Sequence, residues 1–336
     1  TKILILITEL NHKEKLKIGK NPVWIFGNKI NTKKQKTMKK APQINIFGEV
    51  EEQNVLLRDK FIEPPFSVLD TKSGSWQRRK REWKKIGIKS EIGRKDEMTF
   101  KGAVKSFDYY RQKEGKVKES KEQGTSIFDP SLCEVLYHWF VPKSGTILDP
   151  FAGGSVRGIV ANYLGFKYTG IDIREEQIKS NREQGLEILK TDNQPNWYVG
   201  DSKEVLNDFN NQFDFVFSCP PYADLEVYSD LEGDISNMNY ENFMKSYEEI
   251  IKKSCKLLKS GSFACFVVGE VRDKKGNYIC FISDTINAFI KSGMYFYNEA
   301  ILLNPVASAS MRANKQFSSG QKLVKIHQNV LIFKKP

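Results

Sequence analysis

The decapeptide Phe213 to Tyr222, FDFVFSCPPY, holds the residues best placed to do chemistry. Aromatic and branched apolar residues around Asp214 read as a short buried strand. That strand runs directly into Cys219, Pro220, Pro221 and Tyr222. Paired prolines cannot continue a sheet ladder, so the chain must leave the strand in a stiff, extended turn. Such a turn fixes where the Cys219 and Pro220 carbonyls point and sets the Tyr222 ring beyond the strand end. Ligands of open α/β sheets bind at the carboxyl ends of strands. Acceptors beside an aromatic face suit a flat substrate that donates hydrogen bonds. A proline turn capping a core strand has the same local pattern, so the reading needs a second element.

That element lies upstream. The turn DPFAGGS, Asp149 to Ser155, follows an apolar run and opens a helical one. Glycines there allow a tight turn and close backbone approach by a ligand. Asp172 ends the next strand, about twenty residues on, where a carboxylate can accept from both ribose hydroxyls. Asp201 ends a third strand, in VGD, beside the position of an adenine. Each aspartate alone reads as a helix cap. Three acidic strand ends in succession on one sheet edge describe a slot shaped for a nucleoside.

The elements that must position these residues alternate from Thr125 onward. Ile127 to Phe140 opens with Asp129 as cap and Pro130 at the first helical position. Then come GTILDPF, KYTGIDI, WYVGD, FDFVFSC, GSFACFVVGE, MYFYNEAILL and HQNVLIFKK as strands, with helices between most of them. This pattern predicts an α/β fold: a Rossmann-like, doubly wound, mostly parallel seven-stranded sheet. The expected organisation is an N-terminal extension over 1–45 with no role assigned, a basic region over 46–124, and a catalytic domain over 125–336. The acidic stretch Ala223 to Tyr240 reads as a lid or a surface loop. The segment around Arg312, Lys315, Lys322 and Lys325 reads as flexible, either a phosphate contact or a linker.

Charge separates the two regions. The net charge is +12. Residues 1–130 hold 30 Lys and Arg against 17 Asp and Glu, and the remainder holds 23 against 24. A near-neutral domain with a basic appendage fits a polyanion-handling enzyme. Trp76 and Trp83 lie seven apart on a helical pattern, with Arg78, Arg79, Lys80 and Arg81 around the remaining surface as candidate phosphate contacts. Glu63 to Phe66, EPPF, resembles CPPY superficially, but Arg58, Asp59 and Lys60 interrupt the run before it, and it reads as a structural turn. Five cysteines without CxxC spacing argue for a reducing compartment and against a zinc site or disulfide framework. No apolar run approaches membrane-spanning length, so the expectation is a cytoplasmic protein, with no membrane and no metal among its partners.

LDPFAGG followed by CPPY resembles the S-adenosylmethionine-dependent amino-methyltransferases of DNA, which modify adenine N6 or cytosine N4 and share the class I methyltransferase fold. The likeness covers roughly Thr125 to the C-terminus. More loosely, PPFSVLD and WQRRKREW resemble the upstream part of phage-type DNA modification methylases. The resemblance implies that Asp149, Phe151, Ala152 and Gly153 line the methionine and adenosyl moieties, that Asp172 holds the ribose and that Asp201 sits by the adenine. Phe128 would close the extra cofactor motif. Cys219, Pro220, Pro221 and Tyr222 would form the catalytic turn, acting on a base flipped out of double-stranded DNA. Two residues depart from the family pattern: Ser155 replaces the last glycine, and Cys219 stands where Asp, Asn or Ser is usual. A thiol is a weak acceptor, so the Pro220 carbonyl is expected to carry the interaction. Two alternatives stay open: an RNA or protein-glutamine amino-methyltransferase, and a catalytically silent DNA-binding subunit that acts beside a partner.

Overall fold

A computed structural model describes residues 57–88, 128–210, 212–221, 231, 233–273, 275–306 and 309–336. All of them belong to one unit, Leu56–Pro336; the expected 1–45 extension lies outside the described residues. In chain order the elements are α1 (Leu57–Phe61), β1 (Val68–Asp70), α2 (Gly74–Ile86), α3 (Pro130–Phe140), β2 (Thr146–Asp149), α4 (Val156–Tyr163), β3 (Lys167–Asp172) and α5 (Glu175–Leu189). Then follow β4 (Asn196–Val199), α6 (Ser202–Val205), β5 (Phe213–Ser218), α7 (Tyr240–Lys256), β6 (Leu258–Val268), α8 (Phe281–Lys291), β7 (Tyr295–Leu303), α9 (Ala309–Gly320) and β8 (His327–Lys334).

The strands form one sheet of order β1-β7-β8-β6-β5-β2-β3-β4. Strand β8 runs antiparallel to both β6 and β7, and the other pairings are parallel. The expected doubly wound architecture is therefore present, with eight strands rather than seven. The additional strand is β1, from the segment read as a turn after EPPF. It is three residues long, and it pairs with β7 from Val68↔Ile301 to Asp70↔Leu303. So short an edge strand carries too little alternation to be seen in sequence.

Side-chain alternation divides the core. On β5, Phe215 and Phe217 join one apolar cluster with Leu136, Tyr137, Ile159 and Ile178, while Val216 joins the other with Phe243, Tyr247, Ile250 and Phe289. Helices α3, α4 and α5 thus cover one face, and α7 and α8 cover the opposite one. A register shift between Phe213 and Phe215 puts Phe213 on the same side as Val216.

Residues 57–88 are built into this unit. On α2, Trp76, Arg79, Lys80 and Trp83 fall at i, i+3, i+4 and i+7, one helical face. Both tryptophans are buried. The Trp76 indole donates to Asp129 at 3.2 Å and the Trp83 indole to Glu134 at 2.7 Å. Arg79 pairs with Glu134 and Lys80 with Asp129, at 2.8 and 2.9 Å. Helix α2 is therefore fastened to α3 by two indoles and two ion pairs.

Candidate active site

The C-terminal edge of the sheet carries a cavity of about 600 Å³. Its wall includes Phe151, Gly153, Asp172 and Asp201 on one side and Cys219, Pro220 and Pro221 beside them. Phe128, Lys80, Asn304, Pro305 and Gln328 also line it. The glycine turn and the proline turn, 66 residues apart between Gly153 and Cys219, thus meet in one space.

They meet because β2 and β5 are adjacent and parallel, with Leu148 opposite Val216. One side chain ties their ends together. Ser218 Oγ donates to Asp149 Oδ1 at 2.5 Å. Tyr168 Oη and Arg157 Nε both donate to Asp149 Oδ2, at 2.6 and 2.5 Å, and the Phe151 N–H donates to Oδ1 at 3.1 Å. The Arg157 guanidinium continues to the Phe151 and Ala152 carbonyls at 2.6 and 2.8 Å, bracing the glycine turn from beneath. Burial alone would favour deprotonating Arg157, yet Asp149 at contact distance holds its pKa well above the ordinary value. Burial pushes the Tyr168 and Tyr137 phenols well up, so both stay neutral donors.

This network corrects two expectations. Asp149 is 0% exposed and both its oxygens are taken by protein donors, so it clamps the slot from behind and does not line it. Ala152 is likewise enclosed; its N–H donates to the Ile171 carbonyl at 2.9 Å. Phe151 and Gly153 do line the cavity, as do Phe128, Asp172 and Asp201.

Gly153 has φ +51°, left-handed backbone that L side chains rarely adopt. In that conformation its N–H donates to Asp172 Oδ2 at 2.9 Å and its carbonyl accepts from Asn181 at 2.7 Å. Ser155, by contrast, has φ −70° and bonds Gln184, so a serine serves there without strain. Asp172 Oδ1 accepts from the Arg174 N–H at 2.9 Å. Burial raises the Asp172 pKa; Arg174 and the two backbone donors oppose this, and Asp234 adds to it. Asp201 caps α6 through the Lys203 N–H.

Cys219 is half-buried and packs against the apolar cluster beneath the sheet edge, and Pro220 is buried. Tyr222 lies outside the described residues, as do 223–230 and 232, half of the residues read as a lid. Of the four basic residues expected to hold phosphates, Arg78 and Arg81 are both exposed. Arg79 and Lys80 turn inward to α3, because i+3 and i+4 from Trp76 fall on its own face. Lys80 reaches the cavity wall.

Sequence reasoning missed Arg157, Ser218, Asp234, Asn304 and Gln328. An arginine inside the otherwise apolar helix VRGIVANY was the available signal for the first. The last two reach the cavity through an antiparallel strand, which periodicity does not place.

A family model described as DNA methylase, of the N6 and N4 type, matches residues 3–183, more than half of the chain. The span takes in EPPF and the glycine turn and ends before Cys219. EPPF precedes β1 at the far edge of the sheet, four strands away from β5, whereas Cys219 and the two prolines after it share the cavity with Gly153. No curated protein matches the sequence.

Among solved structures, TrmN from Thermus thermophilus aligns at 12% identity and TM-score 0.42, over 62% of this chain and 49% of TrmN. Magnesium protoporphyrin IX methyltransferase from Synechocystis PCC 6803, with SAM bound, aligns at 12% and 0.40, over 69% and 91%. A candidate DNA modification methylase, also from Thermus thermophilus, aligns at 21% and 0.31, over 40% and 50%. At these scores none of the three informs substrate or residue roles.

Proposed function

The chain belongs to the DNA methylase family, and from that premise we propose that it moves a methyl group from S-adenosylmethionine to the exocyclic amino nitrogen of a base flipped from duplex DNA, adenine N6 ahead of cytosine N4. The observation that carries this reading is the Ser218–Asp149 bond, which fixes the ends of β2 and β5 side by side. A donor slot and an acceptor turn so joined suit a direct, in-line group transfer.

The residues present fit the cofactor. Asp172, Asp201 and Asp234 gather on one wall, and Asp234 repels Asp172. Ribose hydroxyls donating to Asp172, or a cationic group nearby, would relieve that repulsion. Lys80, which lines the cavity, retains ammonium hydrogens beyond its bond to Asp129 and would hold the methionine carboxylate. S-adenosylmethionine, when bound, supplies an electrophilic methyl group.

The protein's own part is to hold the base and to localise the amino lone pair, which is otherwise delocalised into the ring. In this reading the Pro220 carbonyl accepts from the amino group, while the Cys219 thiol, packed on apolar neighbours, mainly sets the turn. Sequence places Tyr222 two residues beyond Pro220, where its ring would stack on the base.

Tritium transfer from labelled S-adenosylmethionine tests this, with unmethylated duplex DNA, RNA and a glutamine-containing protein as acceptors. Label in N6-methyladenine or N4-methylcytosine supports the proposal. Label in RNA or protein alone, or in 5-methylcytosine, overturns it. Cofactor binding without any transfer indicates a silent subunit.

A further inference from the structure

Helix α9 contrasts with the domain that carries it. Expected to be flexible chain, Ala309–Gly320 is twelve helical residues between β7 and β8. Ala309 is the buried residue of that helix. Met311 is 60% exposed, Phe317 54%, and Leu323, just past its end, 72%. A helix this short that packs no apolar stripe gains little from its own propensity, so an exposed face of this kind suits a partner.

Charge indicates which partner. From Asn304 to Ile326 there is no Asp or Glu, while Arg312, Lys315, Lys322 and Lys325 are all present. The rest of the catalytic region is not basic: over 131–336 as a whole, Lys and Arg number 23 against 24 acids. Arg312 and Lys315 sit three apart on one helical face, both exposed, with Met311 beside them. Lys325 donates to Asn329, and Lys322 lies against Gly276 in the connection from β6 to α8, which is of mixed charge, with Arg272 and Lys275 beside Glu270 and Asp273.

Topology puts this charge at the acceptor side. Because β8 is antiparallel to β6 and β7, its first residues lie at the edge where β5, β6 and β7 end. The connection bearing α9 leaves from Asn304 and Pro305 and returns at Gln328, and all three line the cavity with Cys219, Pro220 and Pro221.

We infer that α9 is the element by which this chain grips duplex DNA beside its acceptor turn, with Arg312 and Lys315 on backbone phosphates and the neighbouring Met311 against the exposed groove. The inference rests on the methylation reading and adds to it a specific surface. It also shifts emphasis from α2, whose Arg79 and Lys80 are committed to α3.

Fluorescence anisotropy of the full chain with a labelled, unmethylated duplex of about 30 base pairs, longer than one DNA-binding footprint, tests it across a salt series. The Arg312→Ala/Lys315→Ala variant should weaken duplex binding by about tenfold and flatten the slope of log K against log salt by roughly 2, for two lost phosphate contacts. Calorimetric affinity for S-adenosylmethionine and the Tm should not move. Arg312→Lys/Lys315→Arg should retain binding, and Met311→Ser should weaken it without changing the salt slope.

Duplex affinity and slope unchanged in the double alanine variant, with methylation by the wild type intact, overturns the α9 assignment alone. An equal fall in cofactor affinity or Tm overturns it as well, since the residues would then be structural. Tighter binding of an RNA hairpin than of the duplex overturns it. A wild type that neither binds nor methylates DNA overturns both this inference and the reading beneath it.

Discussion

The two halves of the cavity are built on opposite plans. The cofactor half, β2 to β4, is a preformed cradle: Asp149 receives four donors, Arg157 spans a carboxylate and two carbonyls, and Gly153 is bonded through both its N–H and its carbonyl. The acceptor half is framed by a proline turn, the ends of an antiparallel pair and a helix that is nearly all surface. A small ligand of fixed shape favours a rigid site, because little ordering is then left to oppose binding. A long polyanion can be gripped by exposed charge that orders on contact. The difference implies that mutations in the first half act on stability and cofactor, and those in the second on nucleic acid.

The largest test of this division is Asp149→Asn. It leaves the buried Arg157 without its counter-charge, so unfolding free energy should drop by about 3–5 kcal/mol in a urea titration. Because an amide can accept on one side only, either Ser218 or the Tyr168–Arg157 pair meets a donor instead of an acceptor, and both cofactor and DNA binding should suffer. A variant that loses only one of them would break the account of Asp149 as the tie between halves.

Next is Asp172→Ala, expected to weaken S-adenosylmethionine by about 10- to 100-fold, in line with about 1.5–3 kcal/mol for a hydrogen bond to a charged group, with duplex affinity intact. Lys80→Met should follow at about fivefold, near 1 kcal/mol for a partly exposed ionic contact.

Acidity gives a sharper version. The acceptor form of Asp172 is the deprotonated one, and burial raises its pKa above the ordinary carboxylate value. Cofactor affinity should therefore fall on acidification at a higher pH than an unperturbed aspartate would give. Asp172→Asn should remove that inflection in a calorimetric pH series. The smallest effect expected is that of Cys219→Ser: turnover within about threefold of wild type, since a hydroxyl and a thiol differ little where a neighbouring carbonyl does the accepting. Abolished turnover with intact cofactor affinity would assign the side chain at 219 a direct role.

How much of this was legible beforehand differs between the halves in the same way. The cofactor half is made of local signals: a cap at Asp129, a glycine turn after a strand, an aspartate at each strand end. Each occupies the place its pattern implied, and Asp129 does cap α3 through the Ser131 N–H. What sequence could not convey was direction. Asp149 looks like a ligand in DPF, yet it points into a ring of donors supplied by β3, α4 and β5, residues 157, 168 and 218, which only the assembled sheet brings together. Likewise a run of four basic residues looked uniform, while helical phase turned 79 and 80 onto α3 and left 78 and 81 exposed. In the acceptor half, α9 had no apolar periodicity to announce it, and β1 was too short to show alternation.

The most direct test of the central claim, that donor slot and acceptor turn serve one transfer to a DNA amino group, is the nucleoside composition of genomic DNA from a methylation-free host expressing the chain, with single-molecule sequencing to give the context. The account predicts N6-methyladenine, or failing that N4-methylcytosine, confined to one sequence context and absent in the Asp172→Ala strain. Unmodified DNA from cells whose purified protein binds both S-adenosylmethionine and duplex would contradict it.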